Sequence, residues 1–274
     1  MPLTLVQTLT DLARGSPAPA QPRQELFASK DGTPPRRWRR ELKYLVARHL
    51  RHPLIADLLP LVEPDGHGGL NGCYTARSLY LDATDWRCFH DTAAGVARRH
   101  KLRIRTYPDD RSSLVKFEVK HHWNGFISKD VAPVVRDTYE ALLPALQGRW
   151  MLDGRWAGAP EPLRAFFRLK QLDGLTPVLN VQFRRRAFFA RHDRTVRVTF
   201  DDALSACRAR DLFQPMPRGR PLIPAGGTIL EVKVDRAVPY WLHRLIIKYR
   251  LRLQSFSKYG HAAANGPFGL DGSG

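Results

Sequence analysis

Lys101-Leu102-Arg103-Ile104-Arg105 places a cation at every second position and an aliphatic residue at each position between. Successive side chains of a β-strand point to opposite faces, so this stretch predicts a strand with one ionic and one apolar face. The pattern returns in Lys116-Phe117-Glu118-Val119-Lys120, in Arg197-Val198-Thr199-Phe200-Asp201 and in Glu231-Val232-Lys233-Val234-Asp235. Any one of these segments fits an ordinary half-buried sheet with its polar face in water. Four of them, the last three each carrying a carboxylate among cations, suit a site that holds a multiply charged anion together with a divalent metal.

Outward from these segments, Arg39-Arg40-Glu41-Leu42-Lys43-Tyr44-Leu45-Val46 alternates in the same way and predicts the first strand, with Glu41 and Lys43 on one face. A short helix is expected from about His49 to Val62. A turn-rich break at Asp65 to Gly69 then precedes the strand Arg77 to Asp82. Asn124-Gly125 is a strong hairpin signal and pairs the Lys116 segment with a strand from Phe126 to Val135. Helical spacing covers Thr138 to Gln147, Pro162 to Leu172 and Pro239 to Leu251, the last with Trp241, Leu242, Leu245 and Ile246 inward. Strands are expected at Pro177 to Ala190, Thr195 to Ala203 and Thr228 to Asp235. About eight strands, a few helices and no regular βαβ alternation predict an α+β fold with a largely antiparallel sheet. Closure into a β-barrel tunnel gathers the ionic faces in a polar lumen, and amphipathic helices cover the apolar outside. The folded part is expected over residues 36–263, between a flexible N-terminal tail at 1–35 and a flexible C-terminal tail at 264–274.

The chain has 274 residues and 43% apolar content, enough for a substantial core. Its 44 Lys and Arg against 26 Asp and Glu give a net charge of +18, which favours a polyanionic partner: nucleic acid, an acidic membrane surface or a chain of phosphates. Three separated cysteines indicate neither a disulfide framework nor a zinc site, so a reducing compartment fits best. No apolar run reaches the roughly 20 residues needed to cross a bilayer, and a cytoplasmic location is expected.

Arg103 and Arg105 share a strand face about 6.6 Å apart, a spacing that lets two guanidinium groups hold neighbouring phosphates. Lys116 and Lys120 flank Glu118, and Glu231 precedes Lys233, so two Glu-x-Lys pairs either form cross-strand salt bridges or face a common lumen. A divalent metal bound with phosphates needs only one or two carboxylates, and Glu231 is the first candidate, with Glu118 and Asp201 behind it. Arg184-Arg185-Arg186 alternates faces, so only part of it can enter one site. Ser257-Lys258-Tyr259 offers a hydroxyl and an ammonium, or an ordinary polar turn. Neither a GxxxxGK[ST] loop nor a kinase catalytic loop is present.

The chain resembles the catalytic domain of the vacuolar transporter chaperone (VTC) family, the polyphosphate polymerase branch of the triphosphate tunnel metalloenzymes. The resemblance is carried in order by Glu41-Leu42-Lys43-Tyr44, Ser78-Leu79-Tyr80-Leu81-Asp82, Arg103-Ile104-Arg105, Phe117-Glu118-Val119-Lys120, Arg197-Val198-Thr199-Phe200-Asp201, Leu230-Glu231-Val232-Lys233 and Ser255-Phe256-Ser257-Lys258-Tyr259. It implies an antiparallel tunnel in which Lys43, Arg103, Arg105, Lys120, Arg185, Lys233 and Lys258 contact phosphate and Glu231 holds Mn²⁺ or Mg²⁺. Lys116, Arg197 and Ser257 join the expected substrate contacts, and Glu118 the expected metal ligands. Phe183 stands where the family usually has Tyr, which removes one phosphate-directed hydroxyl.

The implied reaction moves the γ-phosphoryl of ATP onto a growing polyphosphate chain. Hydrolysis of tripolyphosphate or a nucleoside triphosphate in the same tunnel is the alternative, followed by noncatalytic polyanion binding. Specific nucleic-acid binding is disfavoured because most aromatic residues fall on the apolar parity rather than among the cations. Any coupling to transport across a membrane requires a membrane-protein partner.

Overall fold

The computed structural model describes residues 37–68, 72–108, 114–148, 154–216, 222–223 and 226–265. The chain divides into Met1–Trp38, of which only Arg37 and Trp38 are described, and Arg39–Gly274, which holds all the elements below. Residues 1–35, expected as a tail, lie outside the described residues, as do residues 266–274. Ala264 and Asn265 were expected in the C-terminal tail and instead close a helix.

Nine strands are described: β1 (Arg39–Val46), β2 (Val62–Pro64), β3 (Cys73–Asp82), β4 (Arg98–Thr106), β5 (Val115–Trp123), β6 (Phe126–Val134), β7 (Thr176–Ala190), β8 (Asp193–Arg208) and β9 (Thr228–Val234). Eight of them follow the order β7-β3-β4-β5-β6-β1-β9-β8, and β8 returns to pair with β7, so the sheet closes into an antiparallel barrel. The short β2 pairs with the end of β7. Closure removes every free edge from the ring of eight and forces its two faces into an inside and an outside.

Side-chain parity then decides which chemistry goes where. Leu102 and Ile104 of β4 and Phe117 and Val119 of β5 point outward. There they pack on α3 (Arg136–Gln147) and α4 (Glu161–Leu172) through Tyr139, Leu142, Leu163, Phe166 and Phe167. The Phe117 ring meets Phe166 edge-on at 5.1 Å. Outward Tyr44, Val46, Val198, Phe200, Leu230 and Val232 are covered by α1 (Arg48–Leu58) and by α5 (Tyr240–Lys248), whose Leu242 and Leu245 are buried. Burial of each such side chain contributes about 1.5–3 kcal/mol, which fixes the strand register and leaves the charged alternate residues no place but the interior.

The hairpin between β5 and β6 turns at Asn124 and Gly125, both with positive φ (45° and 84°), directly after the Trp123–Phe126 pair. This is the two-residue turn that the Asn-Gly signal demands. The expected helix from His49 to Val62 is shorter, ending at Leu58 before a 3₁₀ turn at Leu59–Leu61, and Val62 opens β2. The strand expected to stop at Ala203 continues to Arg208, beyond a register shift near Ala203, whose φ is 51°. Two helices had no sequence expectation: α2 (Arg87–Ala93) and α6 (Lys258–Asn265).

Candidate active site

The barrel encloses a cavity of about 260 Å³ lined by charged side chains from β1, β4, β5, β6, β7, β8 and β9, and by the segment leading into α6. Among its lining residues is Glu231, 4% exposed. Its carboxylate lies 2.8 Å from Lys233 Nζ, 3.2 Å from Lys258 Nζ and 3.8 Å from Arg185. Arg185 forks onto Asp201 with two contacts of 2.7 Å, and Lys258 reaches the same Asp201 at 2.6 Å. Burial pushes Glu231 and Asp201 upward, but Lys233, Lys258 and Arg185 outweigh it, so both carboxyls are held below the usual range and stay ionised.

Next along the wall, Glu41 accepts from Lys120 at 2.8 Å and lies 3.6 Å from Lys43 and 3.8 Å from Lys233. Burial opposes its ionisation, and the three lysines, led by Lys120, hold it ionised. A fourth carboxylate, Glu118, takes Arg103 at 2.5 and 2.6 Å and Lys129 at 3.3 Å. Glu118 does not line the cavity and shares no ion-pair partner with Glu231 among the described residues; it stands behind Arg103 and fixes that guanidinium.

Ser78-Leu79-Tyr80-Leu81-Asp82 explains itself residue by residue. Leu79 and Leu81 face the outer core, while Ser78 accepts from Arg105 Nε at 2.9 Å and the Tyr80 hydroxyl accepts from Arg103 at 3.3 Å. Asp82, at the strand end, accepts the backbone N–H groups of Ala83, Cys88 and Phe89 and the hydroxyl of Tyr259. One carboxylate thus caps α2 and ties α6 to β3. Lys258, one residue before Tyr259, is thereby delivered to Asp201 and Glu231. Tyr259→Phe removes a hydrogen bond to a buried charge. It is expected to cost about 1.5–3 kcal/mol of stability and to raise the apparent Kd for tripolyphosphate severalfold, measured by thermal unfolding and calorimetry.

Of the residues singled out in the sequence, Lys43, Arg103, Arg105, Lys120, Arg185, Arg197, Lys233, Ser257, Lys258 and Glu231 line this cavity together. Lys116 does not: it shares the inward parity, but its ammonium lies over the Tyr107 ring, 5.0 Å from the centroid. Arg197 is held by Asp65 at 2.6 Å and by the Tyr74 hydroxyl at 3.1 Å. The Phe183 ring forms a floor on which Lys258 (4.9 Å), Arg185 (5.1 Å) and Arg105 (5.7 Å) rest, so a cation–π surface stands where the sequence predicted the loss of a hydroxyl.

Several inward residues escaped the sequence assignment, among them Glu41, Lys129 and Lys101. Glu41 and Lys129 were legible from the same alternation as their neighbours, and Lys101 belongs to the opening segment itself. Burial, with Lys120, Lys43 and Arg99 nearby, draws the Lys101 ammonium down to about 7.

The donor set suits Mg²⁺ or Mn²⁺, which take hard oxygen ligands. Glu231 and Glu41 share Lys233, and directly across the β8–β9 ladder from Glu231 the buried Thr199 Oγ1 has no hydrogen-bond partner among the described residues. Among the described residues no group of three His, Cys, Asp or Glu side chains forms a metal cage, and an ion held here would need phosphate and water oxygens to complete its shell.

No curated protein matches the chain. Solved structures of similar shape include a Bacillus halodurans protein named as a candidate adenylate cyclase, at 12% identity and TM-score 0.48, over 80% of this chain and 93% of that one. The Hippeastrum protein HpAC1, described as having a dominant triphosphatase activity, aligns at 12% identity and TM-score 0.42, over 81% of this chain and 93% of its own. PH1819 of Pyrococcus horikoshii aligns at 11% identity and TM-score 0.42, over 81% and 96%. The VTC domain model matches residues 38–265, the whole of the closed barrel with its covering helices, and the chain belongs to the VTC domain family.

Proposed function

We propose that this chain transfers the γ-phosphoryl group of ATP to the end of a growing polyphosphate chain inside the barrel. The observation that carries this reading is the ring of cations held rigid by ionised carboxylates within a closed tunnel: Arg103 on Glu118, Arg185 on Asp201, and Lys233 and Lys258 on Glu231. Phosphoryl transfer asks mainly for alignment and for neutralisation of charge on the transferred group. Guanidinium groups already locked by short bonds need little reorganisation to meet that charge.

Arg103, Arg105 and Arg185 orient the triphosphate. Lys233 and Lys258 offset charge where it develops on the bridging oxygen, and Lys43, Lys120 and Lys129 guide the chain. The acceptor is a terminal phosphate oxygen, ionised at neutral pH, so no strong general base is required. Glu231, with Glu41 beside it, would hold Mn²⁺ or Mg²⁺, which supplies charge neutralisation on the β- and γ-phosphates.

Among the described residues no helix is long and apolar enough to cross a membrane. Phosphorus NMR of the purified chain with ATP and Mn²⁺ tests the reading. Internal phosphate resonances growing with time are expected. Release of orthophosphate without chains would make the protein a triphosphate hydrolase, and no turnover would leave a polyanion-binding module.

A further inference from the structure

We propose that Ser257 is itself a phosphoryl acceptor, its hydroxyl paired with Lys101 in the tunnel wall and positioned to take the γ-phosphoryl of a bound nucleoside triphosphate. This rests on the reading that such a nucleotide occupies the cavity, and it adds a covalent protein product that polymerisation does not require.

Ser257 and Lys101 both line the cavity, with Lys101 Nζ 3.2 Å from Ser257 Oγ. The Gly260 N–H donates to the same oxygen at 3.1 Å, so the hydroxyl is fixed from two sides. Among the described residues Lys101 forms no ion pair, in contrast to Lys120, Lys233 and Lys258, each of which rests on a carboxylate. Its surroundings are Lys120 on β5, Lys43 on β1, Arg99 on its own strand, the Tyr259 ring at 5.9 Å and the Cys88 thiol of α2, which burial keeps protonated. The charged neighbours that bear on it most, Lys120, Lys43 and Arg99, are all positive. A lysine so placed gives up its proton near neutrality, and its free amine then accepts the hydrogen of the Ser257 hydroxyl instead of donating to it.

The step balances without a further reactant. The Ser257 Oγ–Pγ bond forms as the bond from Pγ to the β,γ-bridging oxygen breaks. The nucleoside diphosphate leaves with that electron pair, and the hydroxyl proton passes to the Lys101 amine and on to water. The product phosphoserine lies beside Lys258, Lys101 and the first turn of α6, where negative charge is favoured.

The test incubates the full chain with ATP and Mn²⁺, follows nucleotide consumption, and maps phosphopeptides by mass spectrometry in the same samples. Phosphate on Ser257 is expected, accumulating faster as pH rises through and above 7. Lys101→Arg keeps the charge but cannot accept the proton, and should lower the labelling rate about a hundredfold, as should Lys101→Met. Nucleotide consumption with no phosphate on Ser257 overturns the proposal and leaves the polymerase reading standing, as does labelling that Lys101→Arg leaves unchanged. Absence of both consumption and label overturns both.

Discussion

Glu231→Gln is expected to lower turnover of ATP about a thousandfold while tripolyphosphate binding stays intact or tightens. The substitution keeps the shape of a side chain that is 4% exposed and removes its charge. Lys258 keeps Asp201 at 2.6 Å and Lys233 keeps Glu41 at 3.8 Å, so neither cation is orphaned and the barrel should fold. The lumen gains one unit of uncompensated positive charge, which favours any polyanion. What is lost is the ionised oxygen best placed to hold a divalent ion against the phosphates. Such an ion is worth several kcal/mol of transition-state stabilisation, and each 1.4 kcal/mol is a factor of ten. Calorimetric titration with tripolyphosphate, run beside steady-state rates in Mn²⁺, separates the two effects. Parallel loss of binding and rate would reduce Glu231 to a structural counter-ion.

The barrel was legible because its alternation is strict: in Lys101 to Arg105 and Lys116 to Lys120 every apolar residue is outside and every charged one inside. Lengths were less legible. A strand carrying a bulge at Ala203 breaks its own parity, and a reading based on period two stops there although the ladder goes on to Arg208. The two unexpected helices are short, and both are set by contacts to one buried carboxylate instead of by apolar periodicity, a near contact for α2 and a distant one for α6. Helix α2 begins where the Asp82 carboxylate gathers its first N–H groups, and α6 is anchored by Tyr259 reaching that same carboxylate across 177 positions. No local periodicity carries such a contact. The inward cations could be found from parity, but not their pairing. That Glu118 serves Arg103 while Glu231 gathers Lys233, Lys258 and Arg185 follows from the order of strands around the ring, and Lys116 shows that correct parity alone does not bring a side chain to the cavity.

Arg185→Met should destabilise the protein by about 3–5 kcal/mol, because it breaks a buried ion pair from one side only. Asp201 is fully buried and receives both its fork contacts from Arg185, leaving Lys258 as its remaining side-chain partner among the described residues. For a chain of this size the loss corresponds to a fall in Tm of roughly 10 °C. Turnover should fall as well, since methionine offers phosphate nothing. Adding Asp201→Asn removes the abandoned charge and should restore part of the stability but none of the turnover, so a double variant that regains activity would remove Arg185 from the phosphate site. Acid titration gives an independent check. In the native protein burial raises the Asp201 carboxyl, but Arg185 and Lys258 pull it below its usual value. Its ionised form therefore stabilises the fold above the unfolded carboxyl pKa, and that contribution is lost as pH falls through the lower folded value. Without Arg185 the folded value moves back up, so the variant should lose less additional stability on acidification than the native chain, and the gap between their melting temperatures should narrow as pH falls.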